Sequence, residues 1–203
     1  MTDCCQAVAV TSETQRRVLL IVLWINAAMF VVELGAALLA GSTALLADSV
    51  DMLGDAIVYG FSLYVLGRGP AWQARAARTK GLVMAAFGIA VLAEVVVKIV
   101  RGVVPGAAVM AEIGLLALVA NLVCLLLLWR RRGDDLNMRS AWLCSRNDVT
   151  ANASVLVAAA GVSLTGSAWP DIAVGLLIAA MFVSSAVGVI RAARSTTRVL
   201  PAG

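Results

Sequence analysis

Six stretches of the chain read as nearly unbroken apolar runs with polar residues gathered between them: Val18–Ala40, Ser42–Leu66, Lys80–Val100, Met110–Trp129, Ala141–Gly166 and Asp171–Ile190. Each is long enough to cross a bilayer as an α-helix, which takes about 20 largely apolar residues. None shows the alternation of a half-buried strand. All four prolines, Pro70, Pro105, Pro170 and Pro201, lie outside these runs or at their edges, where a residue lacking an N–H breaks no helical ladder. The pattern predicts an all-α, polytopic membrane protein of six transmembrane helices. It divides the 203 residues into a tail over 1–17, a transport domain over 18–192 and a short tail over 193–203.

Composition agrees. The chain is 62% hydrophobic and 14% charged, with a mean hydropathy of +0.95, far from the roughly 25% charged content of a soluble domain. Lys and Arg alternate between rich and poor connections. Arg16 and Arg17 precede the first run, and Arg68, Arg75, Arg78 and Lys80 follow the second. Arg130, Arg131, Arg132 and Arg139 follow the fourth, and Arg191, Arg194 and Arg198 the sixth. The turns near Gly41, Gly102–Pro105 and Gly166–Pro170 are almost free of basic residues. The positive-inside rule then puts both termini in the cytoplasm. A net charge of +4 is a topology signal, helped by attraction to anionic lipid, and calls for no nucleic acid. Trp72, Trp129, Trp142 and Trp169 fall at run ends, where indoles favour the interface. The first run is too long and too polar, with Asn26 and Glu33, for a cleaved signal peptide. The expected location is the cell membrane, inner or plasma.

Several classes of chemistry drop out. There is no histidine, which removes imidazole metal ligands and proton relays. No Walker-type phosphate loop, no βαβ alternation and no G-x-S-x-G elbow is present. Neither an enzyme nor a prosthetic group is expected.

The informative polar residues lie inside the apolar runs. Asp51 and Asp55 are four apart in ALLADSVDMLGDA, and Cys144 and Asp148 are four apart in WLCSRNDVTAN. Residues at i and i+4 share a helix face, so each helix offers two adjacent ligand groups. Asp48 joins Asp51 and Asp55 on that face, at i, i+3 and i+7. The pair Asp51/Asp55 lies roughly 15–20 Å along the helix from the Gly41-Ser42 turn, near the bilayer midplane. Burying an ionisable residue there costs about 2.5–3.5 kcal/mol on insertion scales, so such a residue reads as functional by default. Three carboxylates and a thiol from two facing helices make a four-ligand cage for a divalent cation. Cys124, flanked by leucines, reads as packing. Glu94 and Lys98, four apart, read as neutralising each other. Glu112 and Asp171, near run ends, read as interfacial carboxylates. The Gly- and Ala-rich first and sixth runs read as close-packing surfaces.

At these residues the chain resembles the cation diffusion facilitator family of divalent metal transporters. The resemblance is densest over Asn26, Glu33 and G41-S-T-A-L-L-A-D48-S-V-D51-M-L-G-D55-A, and again over L143-C-S-R-N-D148-V-T-A-N152. The family carries an H/D-x-x-x-D pair on its second and fifth helices. By position, the implied ligands are Asp51, Asp55, Cys144 and Asp148, with Asn26, Glu33, Asp48 and Asn152 as supporting positions. Cys144 departs from the family's usual His or Asp. The resemblance also implies a homodimer and exchange of metal for protons by alternating access, in a short form lacking the family's cytoplasmic domain. A thiolate among three carboxylates tilts the metal toward Zn or Cd, with Co or Pb also accommodated. Cys4 and Cys5 fit a cytosolic capture point for a soft metal, or two reduced thiols on a disordered tail. Two readings from other classes are a non-transporting membrane metal-binding or sensor partner and a passive channel. A channel needs weak successive sites rather than a tight cage.

Overall fold

The computed structural model of the chain describes residues 13–64, 70–133 and 136–199. Among these residues it is all helix: α1 (Glu13–Ala40), α2 (Thr43–Tyr64), α3 (Pro70–Arg101), α4 (Ala107–Trp129), α5 (Leu136–Thr165) and α6 (Trp169–Val199). Each expected run has its helix. The helices outrun the apolar segments mainly at the Arg-rich end of the bundle: α3 starts ten residues before Lys80, α5 five before Ala141, and α6 continues nine beyond Ile190. These extensions carry Arg, Ala and Gln, good helix formers that need no lipid. Pro70, expected at a boundary, is the first residue of α3, where its missing N–H costs nothing.

The principal pairings are α1 with α2, α3 with α6 and α4 with α5; α2 also meets α3, α5 and α6. That makes α2 the central helix, and the residues it carries face protein on most sides.

The bundle is apolar outside and polar within. Trp24, Leu38, Leu39, Val100, Leu126, Val157 and Leu164 are all exposed, while Asn26, Glu33, Asp48, Asn121 and Asn152 are buried. A bilayer dictates this sorting, since lipid solvates leucine and penalises amides and carboxylates. By length and composition α1, α4 and the Ala141–Thr165 part of α5 are apolar enough to cross a membrane. The aspartates that dilute the hydropathy of α2 are turned into the bundle.

Two apolar clusters bracket the middle. Ala44, Leu45, Ala47, Met110, Val155 and Ala158 belong to a core toward the α1–α2 turn. Leu19, Val22, Val58, Tyr59, Cys124 and Leu128 form another at the opposite end. At that opposite end, Trp129 and Trp142 meet edge-on at 6.5 Å, with Arg132 stacked 4.7 Å from the Trp129 ring. This gives the aromatic-basic rim expected of an interface.

The α1–α2 turn is tightly specified. Gly41 has φ 61, a left-handed conformation that glycine adopts at no steric cost. It lets the Ser42 N–H return to the Ala37 carbonyl at 3.0 Å, closing α1 in a Schellman turn. Ser42 then caps α2, its Oγ accepting from the Leu45 N–H at 3.1 Å.

Candidate metal centre

α2 presents Asp51 and Asp55 one turn apart, and α5 brings Asp148 against them. One carboxylate oxygen from each lies within 4.8 Å of the others. Asp55 and Asp148 are 7% exposed, and Asp51 is half-buried. A tetrahedral ion with metal–oxygen bonds of about 2.0–2.2 Å holds its oxygens about 3.5 Å apart, so small rotamer changes would close this trio around a cation. Asp148 is within hydrogen-bonding reach of both Asp51 and Asp55. Two carboxyl groups can share a hydrogen bond only through a proton. The same constellation therefore suits one divalent ion or protons, but not bare charge.

Tyr59, one turn beyond Asp55, donates its hydroxyl to Asp55 Oδ2 at 3.1 Å. Its hydroxyl is acted on by Asp55, Cys144 and Asp148 together. Cys144 is buried, one turn before Asp148 on α5. Its sulfur lies outside the tight group formed by the three aspartates. It is among the groups that act on Tyr59.

The supporting positions divide. Asn26 donates from Nδ2 to the Val22 carbonyl at 2.8 Å and lies 4.0 Å from Cys124 Sγ. Asn152 donates from Nδ2 to the Asp148 backbone carbonyl at 2.9 Å, pinning the α5 turn that carries Asp148. Glu33 and Asp48 are fully buried, and neither carboxylate has a hydrogen-bond partner among the described residues. Cys4 and Cys5 lie outside the described residues.

The Cation efflux transmembrane domain matches residues 19–196 of the chain. The chain belongs to the cation efflux family. No curated relative matches it. As a member of a transporter family, this cation efflux protein is a multi-pass membrane protein that exports divalent metal, and its metal is substrate rather than cofactor.

Two expectations need correcting in this cation efflux domain. Asp171 is not interfacial: it is fully buried and accepts hydrogen bonds from Ser42 Oγ at 2.6 Å, Thr43 N at 2.8 Å, Thr43 Oγ1 at 2.5 Å and Ala44 N at 3.1 Å. An anion here meets the free N–H groups and positive dipole end of α2. Lys98 does not pair with Glu94 but crosses to Asp171 at 2.5 Å and also donates to the Gly41 carbonyl. An ammonium on a four-carbon stem reaches a better acceptor than its helical neighbour, because burial at 2–3% exposure rewards the fully hydrogen-bonded partner. α6 sits close enough for this because of Gly175, where a Cβ would come within 2.9 Å of the Thr43 carbonyl carbon.

Proposed function

We propose that this protein exports a thiophilic or borderline divalent ion, Zn or Cd before Co or Pb, in exchange for protons. Asp51, Asp55 and Asp148 are the oxygen ligands, and Cys144 supplies the fourth when the centre closes on its ion. The carrying observation is the meeting of three carboxylates from α2 and α5, two buried and one half-buried, within 4.8 Å. Three carboxylates and a thiolate amount to four negative charges, and one divalent ion neutralises two. In a low-dielectric interior the remainder must be neutralised by protons, and when metal leaves more protons take its place. Coupling follows from ligand count. The two apolar clusters on either side of the centre suit alternating access, since opening one while the other stays packed exposes the ion to one side only. The chain acts as a homodimer in the cell membrane with both termini cytoplasmic, the orientation its basic connections favour.

The test is uptake of Cd, Zn, Co and Mn into proteoliposomes with and without an imposed pH gradient. Uptake that accelerates when the lumen is acid supports exchange. Metal binding without uptake would favour the non-transporting reading, and uptake indifferent to the gradient would remove the proton.

A further inference from the structure

We infer that Glu33, Asp48 and Asn152 form a second, oxygen-only divalent-cation station beside the aspartate centre, which the transported ion occupies in transit. This deepens the transport reading above and rests on it.

The three residues come from three helices and lie on the same side of the centre. Glu33 is seven residues before the end of α1 at Ala40, and Asp48 is five after the start of α2 at Thr43. At 1.5 Å per residue, both sit about 7–11 Å from the Gly41-Ser42 turn. Asp51 and Asp55 are one and two turns deeper. Asn152 is one turn past Asp148 in the direction of the α5–α6 turn, toward the same end of the bundle. Asp48 and then Asp51 are the charges that act on Glu33. A chain of carboxylates thus leads from the centre toward the end that the charge pattern assigns to the non-cytoplasmic side.

All three side chains have 0% exposure. Both oxygens of Glu33, both of Asp48 and Oδ1 of Asn152 lack a hydrogen-bond partner among the described residues. That leaves five buried acceptors without a donor, where native interiors satisfy the great majority. Buried donors among the described residues do not meet these acceptors. Lys98, the one buried cation among the described residues, is held by Asp171 and the Gly41 carbonyl. The Asn152 amide nitrogen goes to the Asp148 carbonyl, and Asn121 Nδ2 makes no hydrogen bond. The deficit at these three residues is one of acceptors, which a cation relieves.

Charge and donor type set which cation. When ionised, Glu33 and Asp48 offer two negative charges, which one divalent ion neutralises, whereas the centre has a third carboxylate and a thiol. All five donors are oxygen, which suits Mn or Mg over Cd. A soft ion held at the centre by Cys144 would therefore bind the station more weakly, as release requires.

The experiment uses the purified full chain and Mn2+ as probe, with free Mn2+ read by electron paramagnetic resonance. Wild type is compared with Glu33→Gln/Asp48→Asn and with Asp51→Asn/Asp55→Asn, amides that keep shape and remove charge. The station predicts a Mn2+ component that survives Asp51→Asn/Asp55→Asn. Glu33→Gln/Asp48→Asn should weaken it by more than about 100-fold, beyond the range for losing an outer-sphere partner, while Cd2+ still binds at the centre. That retained Cd2+ binding and a single symmetric elution peak show that the variant is folded. If the double variant does not purify, Glu33→Gln alone is read in the same way. Mn2+ binding unchanged by the Glu33 and Asp48 changes overturns the station and leaves the transport reading standing. Cd2+ transport undiminished in Asp51→Asn/Asp55→Asn overturns the transport reading instead.

Discussion

Asp171 and the aspartate centre place the same side chain at comparable burial and solve its charge in opposite ways. Asp171 accepts from two backbone N–H groups, two hydroxyls and an ammonium. Asp148 has for its nearest charged neighbours Asp55 and Asp51. The first arrangement is complete without any ligand and ties α3 and α6 to the α1–α2 turn. The second is complete only with a cation or protons. A buried carboxylate ringed by donors builds the fold; one ringed by carboxylates stores repulsion that a substrate relieves. Local charge balance, rather than burial or residue type, separates structure from function here.

The largest effect expected is on transport. Asp51→Ala, Asp55→Ala or Asp148→Ala should each reduce metal uptake by proteoliposomes to background while the protein still reaches the membrane. Wild-type uptake by any two of them would mean that the comparison has assigned the wrong cluster.

Stability should move in opposite directions at the two places. Lys98→Met strands a buried Asp171 and should cost about 3–5 kcal/mol, the usual result of breaking a buried pair from one side. Asp55→Asn removes like-charge crowding and should raise the stability of the metal-free protein by about 0.5–2 kcal/mol, the range common when a functional site is relaxed. Thermal unfolding in detergent without metal reads both. The distinction fails if both variants melt below wild type by similar amounts.

The helices and the centre were legible in the sequence, and the reason is physical. Apolar runs of bilayer length leave the backbone no other way to satisfy itself, so all six helices were readable within a few residues of their apolar ends. Asp51, Asp55 and Asp148 stood out because the cost of a mid-span carboxylate leaves few structural excuses. Asp171 and Lys98 were misread because pairing between α3 and α6 is a long-range choice, and proximity along the sequence pointed Lys98 at Glu94 instead. The signal available for Asp171 was the S42-T43 pair opening α2, a helix start that wants an anion. Tyr59 follows Asp55 by four residues, the same spacing that singles out the candidate ligands, but a phenol carries no charge to mark it in an apolar run. Sequence spacing gave Cys144 equal standing with Asp148; the packing of α5 against α2 keeps its sulfur outside the tight trio.

That difference makes Cys144 the next point to press. If the closed centre recruits its thiolate, sulfur is the only soft donor among the ligands, and it should bias the site toward Cd and Zn over Co and Mn. Cys144→Ser should weaken Cd most severely, and Cys144→His should shift preference toward Zn and Co. Competitive binding of Cd, Zn, Co and Mn to wild type and both variants reads the ranking. An unchanged ranking would leave three aspartates and water as the site, with Cys144 as packing.

The smallest effect expected is at Tyr59, which donates its hydroxyl to the aspartate centre. By donating to Asp55 Oδ2, the hydroxyl fixes the rotation of the carboxylate that faces Asp51 and Asp148. Tyr59→Phe keeps the ring in the apolar cluster with Val58 and Leu128 and removes only that donor. Loss of an outer-sphere hydrogen bond of this kind weakens metal binding by about 10- to 100-fold, and the low end is expected because Asp51 and Asp148 still hold the ion. Transport should persist at saturating metal, with a higher half-saturation concentration and little change in maximal rate. If Tyr59→Phe instead abolished uptake as completely as Asp55→Ala, the hydroxyl would be a ligand or proton carrier rather than a positioning group. The centre would then depend on a donor as much as Asp171 does, narrowing the contrast between the two.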